Sequence, residues 1–468
     1  MTPIRFPCCV LVLIFLGAGC QRSASVETSG RVELVYWISW TGFEAEACGA
    51  VVEAFNASQD RIHVNLMTVS EMDRKLLAAI AGGMPPDVAT LMSYHAQSFA
   101  AKSALMHFDA WLEEYGIHKE EFFTVLWEIC TADGHVHALP QTPSPIALHW
   151  NKRLFREAGL DPERPPQTLA ELDAMAEQLT KTDENGDYIQ MGYLPAEPGW
   201  WNWAWGAWFG TELWDGAEKI LVDCPRNVAA YQWVESYSRK YRKDKIEKFR
   251  GGFGNFDSPE NPFISEKIAM EIQGVWMANF IDRYNRNLEW GAAPFPAVEP
   301  GLGKVSIAEA DTIVIPKGSA HPEEAFQFIA FAVSQKGLEL LNLGQKKSSP
   351  RRRMSEAFLA NHPNPYIRVF IDLCDSPSVI AAPRFELYTE LNDELGNAFD
   401  RIWLQQMGAV EALHQAQERL QKKWDRIVRK EKRTGRWHPE QVSSSAAGQL
   451  LLRLADAQSP WATHVAGN

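Results

Sequence analysis

Residues 138–181, ALPQTPSPIALHWNKRLFREAGLDPERPPQTLAELDAMAEQLTK, carry the reading that decides the fold. Ile146, Leu148 and Trp150 alternate with Ala147 and His149, the period-2 pattern of a strand. Asn151 is placed to cap the short helix that follows. Gly159 suits the left-handed position just past its end, with Leu160 set to pack back on it. Asp161-Pro162 and Pro165-Pro166 break the chain. Thr168 and Glu171 then form a T-x-x-E capping box, opening a helix with Leu169, Leu172, Met175 and Leu179 on one stripe.

Upstream, Val32–Trp37 reads as a strand, Phe43–Asn56 as a helix and Arg61–Val69 as a strand. Ser70 with Asp73 is set to cap a helix ending at Gly82-Gly83, and Asp87–Leu91 is a third strand. Alternation of this kind predicts a parallel, doubly wound sheet, and ligands meet such sheets at the loops beyond the carboxyl ends of the strands. Those loops hold Trp40 and Tyr94. At 468 residues the chain exceeds one ordinary core, so two domains are expected.

The formal net charge of −13 argues against a nucleic-acid binder. The basic stretches Arg239–Arg250 and Arg419–Arg433 are interleaved with apolar residues at helical spacing and read as solvated helix faces. At the N-terminus, Arg5 precedes the apolar run Val10–Leu16 and then Gly17-Ala18-Gly19-Cys20, the shape of a signal peptide too short to span a membrane. The small residues before Cys20 resemble a lipobox, although Gly17 stands where most have Leu. That resemblance implies lipidation of Cys20 and a membrane tether. Cys48, Cys130, Cys224 and Cys374 are widely spaced, without C-x-x-C, and read as buried thiols.

The segment at 138–181 resembles the crossover segment of bacterial extracellular solute-binding proteins, family 1, the sugar-binding group of ABC importers. Five further stretches resemble that family in the same order: LLAAIAGGMPPDVATL at 76–91, Gly134–Pro140, FISEKIAMEIQGVW at 263–276, WGAAPFP at 290–296, and Asp311–Pro316 followed by a helix with Pro322 in its first turn. Gln345–Arg353 resembles the third crossover, and Tyr388 to about Arg433 the C-terminal helices. The resemblance implies an α/β, two-lobed periplasmic-binding-protein fold of type II. Each lobe would be a doubly wound sheet flanked by helices, with hinge crossovers between them. It further implies lobe one from 31–141 plus 292–343 and lobe two from 142–291 plus 344–435; the N-terminal pattern adds a signal peptide over 1–19 and a lipidated tether over 20–30, and 436–468 is an extension without a clear family counterpart.

The run Gly199–Phe209 concentrates the chemistry, because sugars present flat C–H faces that stack on indole rings. Read as a helix, it places Trp201, Trp205 and Trp208 on one face, with Trp200 and Trp203 elsewhere. Gly274 and Trp276 follow a strand at its cleft end: either the glycine lets backbone approach a ligand and the indole offers a face, or they are a turn glycine and a packing indole. Asp311, ahead of the strand Thr312–Ile315, is either an acceptor for sugar hydroxyls or a helix cap or salt-bridge partner. Glu44 and Glu46 either serve hydroxyls or answer a helix dipole. Arg353 is the guanidinium expected to turn toward the cleft. The expected ligand set is thus Trp40, Glu44, Tyr94, Trp200, Trp201, Trp203, Gly274, Trp276, Asp311 and Arg353.

Asp183–Asp187 begins like a calcium loop, but Leu194 occupies the twelfth position, so a turn is expected. His135-x-His137 puts two imidazoles on one strand face without a third ligand at suggestive spacing, so no metal is expected. No cofactor motif is present, and nothing positions two carboxylates across one bond. The function expected is capture of a carbohydrate, an oligosaccharide by preference, outside the cytoplasm for the permease subunits of an ABC importer. The chain would be lipid-anchored, bind no nucleic acid and perform no catalysis. The alternatives are a non-sugar solute such as a polyamine, phosphodiester or iron complex, a secreted carbohydrate-active enzyme, or a sensor that kept the fold.

Overall fold

The computed structural model describes residues 30–435 and Trp437. Cys20, the signal segment and most of the 436–468 extension lie outside the described residues. The described residues form twelve strands: β1 Val32–Ile38, β2 Ile62–Thr68, β3 Val88–Met92, β4 Thr131–Ala132, β5 His135–Val136, β6 Leu139–Asn151, β7 Lys181–Thr182, β8 Tyr188–Tyr193, β9 Ile268–Gly274, β10 Trp290–Ala293, β11 Ser306–Val314 and β12 Val379–Ile380. Ten form one sheet in the order β2-β1-β3-β11-β6-β9-β8-β7, with β10 added on β6 and β12 on β11, while β4 and β5 form a separate hairpin.

The strand expected at 146–150 is longer in the structure. Spanning 13 residues, β6 belongs to both halves of the sheet. Its first part pairs antiparallel with β11, from Leu139↔Ile313 to Pro145↔Ala308. Its second part pairs with β9, from Ile146↔Gly274 to Trp150↔Met270, and with β10 on the other side. Pro140, Pro143 and Pro145 all fall in the first part. There β11 is the only strand alongside, and a missing N–H on the open edge leaves no ladder bond broken. The Asn342 side-chain amide donates to the Gln141 carbonyl (3.0 Å) on this segment. At the switch from one pairing to the next, Ser306 Oγ accepts from Ile146 N (3.1 Å) and donates to Ile146 O (2.8 Å), satisfying the backbone where neither ladder does.

The hydrophobic clusters of the first half pack separately from the large cluster of the second, which fits a two-lobed molecule. In the first half the expected β2-β1-β3 parallel arrangement is present, and antiparallel β11 extends it. Leu34, Tyr36, Ile38, Val88 and Ile313 fill one face; Ala89, Leu91, Ala310 and Val314 fill the other. The second half gathers Leu148, Trp150, Met191, Met270 and Ile272 with the helices 388–403 and 409–434.

Local signals hold well. Asn151 Oδ1 accepts from Leu154 N (2.9 Å), Gly159 has φ of 76°, and Thr168 Oγ1 accepts from Glu171 N (3.2 Å). The 183–187 segment is a turn, with Asp183 Oδ1 accepting from the N–H groups of Asn185 and Asp187 at 2.9 Å. Cys48, Cys130 and Cys374 are buried, Cys224 is half-buried, and all four are free thiols. Two expectations fail. Ser70 does not cap the second helix, which begins at Met72 after Glu71 in a left-handed conformation without a side-chain cap. The tryptophan run is helical only over Trp205–Trp208, so Trp201 does not share a helix face with them. Among the described residues no helix is long and apolar enough to cross a membrane.

Candidate ligand-binding site

Nine of the ten expected residues fall into three groups, divided between the two halves. The first group is polar and belongs to the first half. Trp40 ends the loop after β1, and Glu44 lies in the first turn of the helix 42–58. Asp311 lies inside β11 rather than ahead of its strand, opposite Met92 of β3. The three meet at Lys347, whose Nζ lies 2.9 Å from Glu44 Oε1, 3.5 Å from Asp311 Oδ2 and 6.0 Å from the Trp40 ring. Thr142 of β6 donates to the same Asp311 oxygen. Lys347 is only 4 % exposed and Asp311 6 %. Burial pushes the lysine toward its neutral form, but Glu44 and Asp311 outweigh it and hold the ammonium charged. Burial raises the Asp311 carboxyl above the ordinary carboxylate range, with Lys347 and Thr142 pulling it back.

The second group is an aromatic wall in the second half. Trp200 sits 5.6 Å from Trp201 and 6.1 Å from Trp276, ring centre to ring centre, and Trp201 is 6.2 Å from Trp276. Phe256 meets Trp200 edge-on at 4.9 Å. Trp200 is 42 % exposed and Phe256 43 %, an expensive display of apolar surface unless a ligand covers it. Gly274 has a different reason from the one expected. A Cβ there would lie 2.1 Å from the Trp276 ring, so the close approach the glycine permits is that of the indole, not of a ligand. The Trp276 indole N–H is buried with no partner among the described residues, leaving a donor beside the wall.

The third group joins the halves. Tyr388 lies 6.3 Å from Tyr94 of the first half and 5.7 Å from Trp203 of the second. Burial, then Glu309 and Asp73, pushes the Tyr94 hydroxyl up to about 12, so it stays a neutral donor. Glu309, which accepts from Ser93 and from Ala382 N (2.6 Å), is also raised by burial. A second aromatic bridge runs from Phe43 to Phe280 (6.4 Å), Phe256 (5.5 Å) and so to Trp200.

Arg353 stands outside these three groups. It is exposed, and no hydrogen bond or ion pair joins it to the other nine residues. Its neighbour Arg351 serves Glu121 and the Val333 carbonyl, and Arg352 serves Asp375 and Thr124. The cation that the third crossover delivers is Lys347, six residues earlier. Lys346 beside it is spent on Asp282 at 2.6 Å. The Lys-Lys pair was visible in the sequence, but nothing there told which lysine turns inward. Tyr388, Thr142 and Phe256 were missed for the same reason. A cavity of about 290 Å³ includes Trp203 but none of the other expected residues. It is lined by Glu128, Glu212 and Arg384, where Arg384 Nη1 donates to the Glu128 carbonyl at 2.7 Å. This cavity therefore lies apart from the stacking faces and the Lys347 group. The wall and the polar group are preferred, because they combine stacking faces with hydroxyl-binding groups.

A family model described as bacterial extracellular solute-binding protein matches residues 44–339. The chain belongs to this family. Within it, the chain is similar to an uncharacterized ABC transporter extracellular-binding protein of Pyrococcus horikoshii, 22 % identical over 73 % of this chain and 78 % of the relative. It is also similar to the sn-glycerol-3-phosphate-binding periplasmic protein UgpB of Pectobacterium atrosepticum, 23 % identical over 65 % of this chain and 68 % of that protein. Among solved structures, CpMnBP1 with mannobiose bound superposes with a TM-score of 0.72 at 29 % identity, covering 83 % of this chain and 99 % of that one. The mixed α/β, two-lobed fold is thus that of a solute-binding protein.

Proposed function

We propose that this solute-binding protein captures a carbohydrate, an oligosaccharide by preference, outside the cytoplasm and delivers it to the permease of an ABC importer. The observation that carries this reading is the pairing of a part-exposed tryptophan wall in one half with a lysine-centred group of carboxylates in the other. The wall of Trp200, Trp201 and Trp276 offers faces for sugar C–H surfaces, while Asp311, Glu44 and the Trp276 N–H offer partners for hydroxyls. The lobes would comprise 31–141 plus 292–343 and 142–291 plus 344–435. They would close about the switch point in β6, drawing on the ligand's preference for the closed state. Trp40, Tyr94 and Trp203 complete the set; Arg353 takes no part. The chain itself performs no turnover, and Cys20 carries the lipid that tethers it to the membrane.

A phosphodiester, suggested by the UgpB relatives, fits less well. Lys347, the one cation buried among the described residues, already faces two carboxylates, so a phosphate would meet more negative charge than positive. A thermal-shift screen decides between them. Mannobiose and related oligosaccharides should raise the melting temperature, quench tryptophan fluorescence and contract the molecule in small-angle scattering. A response confined to glycerophosphodiesters or polyamines, or release of hydrolysis products from the oligosaccharide, would overturn the reading. Cys20→Ser should move the protein from the membrane fraction to the soluble one.

A further inference from the structure

The hairpin β4–β5 lies apart from the wall and the polar group, and the fold brings to it the ligands that the sequence lacked. His135 and His137 follow one another on this hairpin. The loop before the helix Asp109–Glu114 is tied against it, with Phe108 N donating to Val136 O at 2.7 Å. This places His107 and Asp109 beside the two histidines. Asp109 Oδ2 lies 3.0 Å from His107 Nδ1 and 3.0 Å from His135 Nδ1. All three donor atoms fall within 4.8 Å of one another. The His107 and His135 rings are 5.0 Å apart, and His137 stands 6.3 Å from the first and 6.4 Å from the second.

We propose that His107, Asp109 and His135 form a binding site for a divalent first-row transition metal, of the Zn²⁺ class, on the outer surface of the first half. Imidazole and carboxylate donors suit such ions, with bonds of about 2.0–2.2 Å. A tetrahedral arrangement of bonds that long sets its donor atoms roughly 3.3 Å apart. Two of the three edges are already within a few tenths of an ångström of that spacing. The third, between the two Nδ1 atoms, closes by rotation of side chains that are 61 % and 55 % exposed. The carboxylate is held from behind, its other oxygen accepting from Val136 N at 3.4 Å, as outer contacts commonly hold a metal-binding group. His137 adds a third imidazole beside both rings, with its Nδ1 buried and unpartnered among the described residues.

The test is equilibrium dialysis and calorimetry of the full chain with Zn²⁺ alone. One ion per chain should bind, and the melting temperature should rise with Zn²⁺ concentration. His107→Ala, His135→Ala and Asp109→Asn should each weaken binding by at least about tenfold, the lower bound for losing even an outer-shell partner. His63→Ala, which alters an exposed histidine elsewhere, should leave it unchanged. All four variants should keep the circular dichroism and the oligosaccharide response of the parent, which separates failure of this site from failure of the ligand cleft. Zn²⁺ binding that survives the double variant His107→Ala/His135→Ala, or no binding above that variant's level, would overturn the proposal.

Discussion

Each half of the molecule buries a carboxylate on a strand that leads to the cleft, and the two halves treat it differently. Asp311 on β11 has Lys347 at 3.5 Å and the Thr142 hydroxyl against it. Glu271 on β9, 1 % exposed, has only the Gln273 amide at 3.3 Å, and its second oxygen has no partner among the described residues. The nearest charge acting on it is another carboxylate, Glu197, whose own cation is Arg250. Burial therefore pushes Glu271 up to about 8 with nothing to pull it back to the ordinary range. A buried charge is kept by its partners, not by its strand. The first half imports its cation from the third crossover, and the second half leaves its glutamic acid protonated at neutral pH.

Four experiments would break or sharpen that contrast. The largest effect concerns Glu271. Its folded value lies above its ordinary 4.5, so its stabilising contribution is full below pH 4.5 and is lost as pH rises to about 8. That span corresponds to on the order of 5 kcal/mol at about 1.36 kcal/mol per pH unit. Melting temperature should fall across this window, and Glu271→Gln should flatten the fall and exceed the parent at pH 8. An unchanged profile would mean that the acid finds a cation. Next, Lys347→Met should cost about 3–5 kcal/mol, the price of stranding buried carboxylates, in urea denaturation near neutral pH. A neutral result would show that Glu44 and Asp311 do not depend on it.

Smaller effects test the wall. Gly274→Ala puts a methyl into the Trp276 ring, so it should cost about 1–3 kcal/mol of stability and weaken sugar binding as the indole moves. Trp200→Ala should leave stability within about 0.5 kcal/mol because the ring is already part-exposed. It should nevertheless weaken oligosaccharide binding about tenfold, or 1.4 kcal/mol, by calorimetry. Equal losses of stability and binding at Trp200 would assign it to the core with Trp205 and Trp208.

The legible parts of the sequence were those whose partners lie within one turn or one strand. Asn151, Gly159 and Thr168 act on residues three to five positions away, and each does what its local pattern implies. The cleft was legible by residue type. Tryptophans and an aspartate were placed at strand ends, and Trp200, Trp201 and Trp276 do meet. What escaped was every role set by a distant partner. Lys347, not Arg353, is the crossover cation beside Glu44 and Asp311, and two adjacent crossover lysines differ only in which one faces a carboxylate 303 residues away. At Gly274 the group that comes close is an indole two residues along, which spacing alone does not tell from a ligand.

The sequence by itself determined the alternation of strands and helices, the crossover at 138–181, the family and the concentration of indoles. Those follow from periodicity, caps and breakers, which act over a few residues at a time. Only the tertiary structure decided that β6 belongs to both halves, that Trp200 is displayed while Trp205 is core, that Lys347 rather than Arg353 is the buried cation, and that His107 and Asp109 join His135. The physical reason is the same in each case. Burial, charge compensation and metal-ligand geometry depend on which remote segments share a volume, and that is settled by packing rather than by spacing along the chain.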